Sequence, residues 1–264
     1  MKLIWISDPH LEFLSLAQAD SFLSGVASHR PDAILITGDI ATAPSMRRYL
    51  TALVISFSCP IYFVLGNHDF YGGSFGEVVG LVREFCAVHP HLIHLGNGEV
   101  ITLNAETALI GHRGWADGRA GMGSRSPVRM NDQVLIKDLT NLDTEELFQR
   151  LGRLGDESAD YIRALAPIAL AQARNLFVAT HVPPFEEAAL YGNKPSAPDH
   201  APHFVNVAFG QALREIAAEN PEATITVLCG HTHHGAYFHP LPNLKVKVAH
   251  AEYAAPAVAE ILEV

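Results

Sequence analysis

Eight side chains suited to binding divalent cations or moving protons follow five apolar runs. Asp8 and His10 follow residues 2–7, and Asp39 follows 33–37. Asn67 and His68 follow 61–65, His181 follows 176–180, and His231 and His233 follow 225–229. One histidine after a strand is more often a cap or a core residue. Five endings with only Asp, Asn and His at the key positions point to a shared site. Carboxylate, amide oxygen and imidazole together suit Mn, Fe, Zn, Co or Ni. No cysteine belongs to the set, which argues against a structural thiolate zinc site. Asp8, His10, Asp39, Asn67, His181, His231 and His233 are too many ligands for one ion and suit two. Two ions about 3.5–4 Å apart clamp a phosphoryl group and a bridging hydroxide.

The elements that must position these residues are legible in the apolar pattern. Buried strands over 2–7, 33–37 and 61–65 alternate with helices over 14–29, 45–57 and 75–88. Such alternation builds a parallel sheet, whose sites lie past the carboxyl ends of the strands. Residues 92–95, 99–103 and 107–110 read as a meander without helices. Asp143 caps a helix, Gly152 and Gly155 divide it from a longer helix at 157–173, and Pro167 bends the latter. A strand at 176–180, a helix at 207–219 and a strand at 225–229 follow. Three more strands, at 236–239, 244–248 and 257–262, finish the chain.

At the site, Gly38, Gly66 and Gly230 let the backbone turn sharply. Pro9 is compatible with an extended backbone between Asp8 and His10. On an extended segment, His231 and His233, two apart, face one common point while His234 faces away. The Gly- and Arg-rich stretch 111–132 and the Pro-rich loop 185–204 read as specificity loops within one domain, 1–264. His112, Arg113, Trp115 and Arg125 lie in or beside the first loop, where an arginine is apt for a substrate phosphate. Tyr71 reads as packing, His89, His91 and His94 as surface or turn residues, and His250, Glu252 and Tyr253 as a polar turn near the rim.

Composition narrows the partners. The chain has 28 acidic and 18 basic residues, a net charge of -10, and 15 histidines. An acidic balance argues against broad nucleic-acid binding, which needs a basic surface. It leaves room for a small phosphorylated substrate, because bound cations reverse the local field. No apolar run reaches the roughly 18 residues of a membrane span. Residues 1–8 show no secretion signal, and Cys59, Cys86 and Cys229 have no paired spacing. The expectation is a cytoplasmic protein; its oligomeric state stays open.

Asp8-Pro9-His10, Gly38-Asp39, Gly66-Asn67-His68-Asp69, His181 and Gly230-His231-Thr232-His233 closely resemble the motifs of the calcineurin-like metallophosphoesterase superfamily. The resemblance implies an α/β fold, a four-layer αββα sandwich with two mixed central sheets. It implies that Asp8, His10 and His233 hold one metal, that Asn67, His181 and His231 hold the second, and that Asp39 bridges both. Manganese is favoured. Metal-bound hydroxide would attack a phosphomonoester or phosphodiester. His68 would protonate the departing oxygen or stabilise its charge, and Asp69 would orient His68 or a ligand, or cap a turn. The family's Gly-Asp is often followed closely by an acidic or amide residue, but here Ile40-Ala41-Thr42-Ala43 follows. The competing readings are a protein-interaction scaffold on the same fold and a hydrolase of a non-phosphate substrate. A complete ligand set with His68 disfavours the scaffold.

Overall fold

The computed structural model describes residues 1–264. Its elements run β1 (Lys2–Ile6), α1 (Leu16–Ser28), β2 (Ala33–Thr37), α2 (Met46–Ser56), β3 (Ile61–Val64), α3 (Phe75–Ala87), β4 (Leu92–His94), β5 (Ile101–Asn104), β6 (Thr107–Gly111), α4 (Asp132–Leu135), α5 (Thr144–Leu170), β7 (Asn175–Ala179), β8 (Leu190–Tyr191), β9 (Lys194–Pro195), α6 (Val207–Glu219), β10 (Thr224–Cys229), β11 (Ala236–Leu241), β12 (Leu244–Val248) and β13 (Val258–Glu263). Ser15, Ser74 and Asp143 begin α1, α3 and α5 with capping boxes, each pairing with Gln or Glu three residues on.

Two mixed sheets carry the fold. The first has the order β13-β1-β2-β3-β4, and the second β11-β12-β10-β7-β6-β5. Their centres are parallel, and β13, β11 and β5 pair antiparallel at the edges. Strand parity assigns the layers. Ile4, Ile6, Ile34, Ile36 and Phe63 pack with α1, α2 and α3. Their alternates Leu3, Trp5, Leu35, Tyr62 and Val64 meet Leu109, Ala179 and Leu228 between the sheets. On the far side, Ile110, Val178, Val227 and Val246 pack with α6 and the second half of α5. Strands buried on both faces read as unbroken apolar runs, which is why these were visible in the sequence. No helix is long and apolar enough to cross a membrane.

Three expectations change. Residues 92–110 are not one meander: β4 pairs in parallel with β3 in the first sheet, while β5 and β6 form a hairpin at the edge of the second. His94 is consequently buried, against Phe63. Gly152 and Gly155 do not divide a helix, because α5 runs unbroken through both and through Pro167. Gly155 is there for close approach: a Cβ would overlap the Cβ of Asp117 in the 111–132 stretch. The 185–204 loop contains the short hairpin β8–β9.

The two helix glycines are expected to respond with opposite signs. A Cβ at Gly152 meets only Arg119 Nη2, at 3.5 Å. Gly152→Ala is therefore expected to stabilise by about 0.5–1 kcal/mol through helix propensity. Gly155→Ala is expected to lower the melting temperature despite the same gain, in a paired thermal unfolding measurement.

Candidate metal centre

The five motif segments leave the carboxyl ends of parallel strands: β1, β2 and β3 in one sheet, β7 and β10 in the other. Backbone bonds continue the strand pairing past those ends. Asp8 N–H donates to Gly38 O, His10 N–H to Asp39 O, and Gly230 N–H to His181 O, at 3.1, 3.0 and 2.9 Å. Two bonds then tie the sheets together at the site. His231 N–H donates to Asp8 Oδ1 at 3.0 Å, and His181 Nδ1 donates to Thr37 O at 2.8 Å.

The backbone here is neither extended nor turned mainly by glycine. Asp8, His10, Asp39, His231 and His233 have φ of 49°, 40°, 53°, 70° and 59°, in the left-handed region. Such residues cost on the order of 1–3 kcal/mol each and persist where the surroundings over-determine them. The expected extended geometry around Pro9 and across 231–233 is thus overturned. Of the three motif glycines only Gly38 has a positive φ. Gly66 and Gly230 are needed for space: a Cβ at either would overlap the carboxylate of Asp39 or of Asp8.

The ligand atoms fall into two groups that share Asp39. Asp8, His10, Asp39 and His233 offer atoms all within 4.8 Å of one another. In this group His10 Nε2 lies 3.1 Å from His233 Nε2 and 3.6 Å from Asp39 Oδ2. In the other, Asn67 Oδ1 lies 3.0 Å from both His181 Nε2 and His231 Nδ1, and His181 Nε2 is 3.4 Å from Asp39 Oδ1. His231 and His233 therefore face different groups. The two oxygens of Asp39 likewise point to different groups.

Hydrogen bonding tests whether this second group fits a cation. His181 Nδ1 and His231 Nε2 face backbone carbonyls, Thr37 O and His203 O. A carbonyl only accepts, so each ring carries its proton there and turns a bare lone pair toward Asn67 Oδ1 when neutral. Asn67 cannot answer with a donor. Its Nδ2 donates to Asp132 Oδ1 at 2.9 Å and to Tyr71 Oη at 3.2 Å. Acceptors converging without a donor fit a cation. Without one, a proton substitutes: burial lowers His181, but the Asp39 carboxylate outweighs it and holds the imidazolium at about 10. Burial would raise Asp39 and Asp8, yet neighbouring histidines hold both below the ordinary carboxylate range. Burial and the His181 charge push His231 down to about 4.

His68 stands beside the groups, half-buried, stacked on Tyr71 at 4.2 Å and edge-on to His10 at 4.6 Å. Burial lowers its ring below the ordinary histidine value. Asp69 accepts from Asp39 N–H, Ala41 N–H and Gly66 N–H, at 3.0, 3.0 and 2.7 Å. It binds the ends of β2 and β3 together, a positioning role, and does not bond the His68 ring.

Two contributors, Asp132 and Glu12, went unread in the sequence, and Tyr71 and Tyr253, read as packing and as a polar turn near the rim, join them at the site. Asp132 accepts from Asn67 and, at 2.7 Å, from Tyr71 Oη. Glu12 brings a buried carboxylate 3.6 Å from His10 Nδ1, its oxygens without a hydrogen-bond partner. It supplies an acid beside His10 although none follows Gly38-Asp39. Tyr71 orients Asn67, and Tyr253 covers His10, His68 and His233. A polar residue in an aperiodic stretch gives no local signal of such contacts.

Of the four residues in or beside the 111–132 loop, His112, Arg113 and Trp115 find other partners. His112 packs on Tyr161 and accepts from Gly114 N–H. The Arg113 guanidinium lies over Phe70 and Phe75 and 3.9 Å from Glu157. Trp115 is buried against the same two phenylalanines. Arg125 is exposed at the end of a short 3-10 turn. Only the Arg113 backbone serves the centre, accepting from His181 N–H at 3.0 Å.

A family model for calcineurin-like phosphoesterases matches residues 1–235. The chain belongs to the calcineurin-like phosphoesterase family. It is accordingly a metal-dependent phosphohydrolase with a centre for two divalent cations. Solved structures share this family member's fold at low identity. Phosphopantetheinyl hydrolase from Mycobacterium tuberculosis is 14% identical with a TM-score of 0.65, over 96% of this chain and 89% of that one. A dimetal phosphatase from Danio rerio is 10% identical with a TM-score of 0.57, over 95% and 87%. A 5'-nucleotidase from Candida albicans is 11% identical with a TM-score of 0.52, and the match covers 94% of this chain but 45% of that one. A search of curated protein sequences finds none that matches.

Gly66→Ala is expected to displace the Asp39 carboxylate. Metal analysis after dialysis should then find fewer cations per chain than in wild type, with a lower melting temperature.

Proposed function

We propose that this phosphohydrolase cleaves phosphomonoesters or phosphodiesters of small phosphorylated molecules, using water as the acceptor. The observation that carries this reading is the placement of Asp39, with one oxygen in each ligand group and half-buried His68 alongside. In this reading Asp8, His10 and His233 hold one cation, Asn67, His181 and His231 hold the other, and Asp39 holds both. Two such ions, for which we favour manganese among Mn, Fe, Zn, Co and Ni, would polarise the phosphoryl group and acidify the attacking water.

The chain's own residues do the rest. Tyr71 fixes the plane of the His68 ring by stacking. From there His68 donates an N–H to the departing oxygen as its bond to phosphorus breaks. Asp132 and Tyr71 hold the Asn67 amide with its oxygen toward the histidines. We read residues 1–264 as one catalytic domain, and its three free cysteines suit the cytoplasm.

Asp39→Ala is expected to abolish turnover of p-nitrophenyl phosphate and to reduce bound metal. His68→Ala should keep its metal yet lose roughly 10²–10⁴ in rate on an alkyl phosphate, whose leaving group needs a donor. Full activity of His68→Ala on that ester would overturn the His68 assignment. Comparing bis-p-nitrophenyl phosphate with the monoester, with added manganese, separates diesterase from monoesterase. Likeness to a phosphopantetheinyl hydrolase and a 5'-nucleotidase makes phosphopantetheine and 5'-nucleotides first choices for a metabolite screen.

A further inference from the structure

Two large aromatic side chains stand exposed at the mouth of the centre. Phe13 is 53% exposed and Tyr253 is 51% exposed, and their rings meet edge to face at 5.0 Å. Both carriers are fastened to the motif backbone. Phe13 ends the short helical turn that starts after His10, and its N–H donates to His10 O at 3.0 Å. Tyr253 follows β12 in a loop whose Ala251 N–H donates to His233 O at 3.2 Å, and the next residue, Ala254, has φ 61°.

The Tyr253 ring covers part of the site. Its centroid lies 4.6 Å from His10, 4.7 Å from His233 and 6.0 Å from His68. About half of the residue stays open to solvent beside His68. Exposed apolar surface grouped at a site marks a contact to be made, whereas scattered single residues do not. An aromatic ring rewards a second planar ring beyond the area covered, through offset or edge-to-face packing. The Arg113 guanidinium is engaged elsewhere, over Phe70 and Phe75.

We infer that Phe13 and Tyr253 form the subsite for the leaving group, and that this group carries a planar aromatic ring next to its ester oxygen. The inference rests on the phosphoesterase reading above, because His68 defines the leaving-group side. An aryl phosphate, with its ring directly on the ester oxygen, has this chemistry.

Binding tests the subsite without turnover. Affinities of phenylphosphonate, n-butylphosphonate and methylphosphonate are measured by calorimetry on manganese-loaded wild type, Tyr253→Ala, Tyr253→Phe and Phe13→Ala, with metal content determined for each. Wild type is expected to prefer the phenyl ligand over the butyl ligand about three- to tenfold. Tyr253→Ala should lose that preference, Tyr253→Phe should keep it, and Phe13→Ala should reduce it. The ratio of ligands is unaffected by a general loss of affinity, so a damaged centre does not imitate the result. Equal binding of phenyl and butyl ligands by wild type, or an unchanged ratio in Tyr253→Ala, overturns the aromatic subsite. Separately, metal-loaded wild type that hydrolyses p-nitrophenyl phosphate while the ratio fails to move sinks the subsite alone. Wild type that hydrolyses no phosphate ester sinks the parent reading and the subsite with it.

Discussion

The centre depends on holding electron-rich atoms together without a donor between them. Asn67 Oδ1, His181 Nε2, His231 Nδ1 and Asp39 Oδ1 converge, and the outward nitrogens of both rings are already committed to carbonyls. Lone pairs repel one another, so the fold must impose this arrangement until a cation or a proton relieves it. The raised His181 shows the proton solution. A cation held there by Asn67, His181, His231 and Asp39 would take the place of that proton, so metal affinity would be linked to ring deprotonation.

The imposition is made by backbone. Left-handed conformations at five ligand positions would be abandoned by a free chain. They persist because strand pairing extends beyond the strands and because Asp69 collects three N–H groups from the ends of β2 and β3. Close approach is the second requirement. Gly66 and Gly230 stand where a methyl group would collide with a ligand carboxylate, so they bring two segments within contact distance. Both sheets contribute, and the core between them fixes the distance from one set of strand ends to the other.

Around this rigid floor the loops divide the work differently from what their composition implies. The arginine-rich stretch packs Arg113 onto aromatic rings and docks against Gly155 of α5, while its end supplies Asp132 to orient Asn67. Its contribution to the centre is support from behind. The open rim is formed instead by Phe13 and Tyr253, which border the His68 side. On the proposed reading, a phosphate would be bound chiefly by the centre, and discrimination between esters would fall to apolar contacts with the remainder of the substrate.

Much of this was legible in the chain alone. The doubly buried strands announce themselves as apolar runs, and each candidate ligand follows one within a few residues, so the parallel topology and the gathering of these side chains at one edge follow from local pattern. The tertiary structure decided what local pattern cannot carry. It moved β4 into the first sheet, kept α5 whole through two glycines, and separated His231 from His233 by left-handed backbone. It also recruited Glu12, Asp132 and Tyr253 from segments without periodicity. The physical reason is range. Strand and helix periods report neighbours a few residues apart, whereas the bond from His231 N–H to Asp8 Oδ1 joins positions 223 residues apart and exists only where two sheets meet.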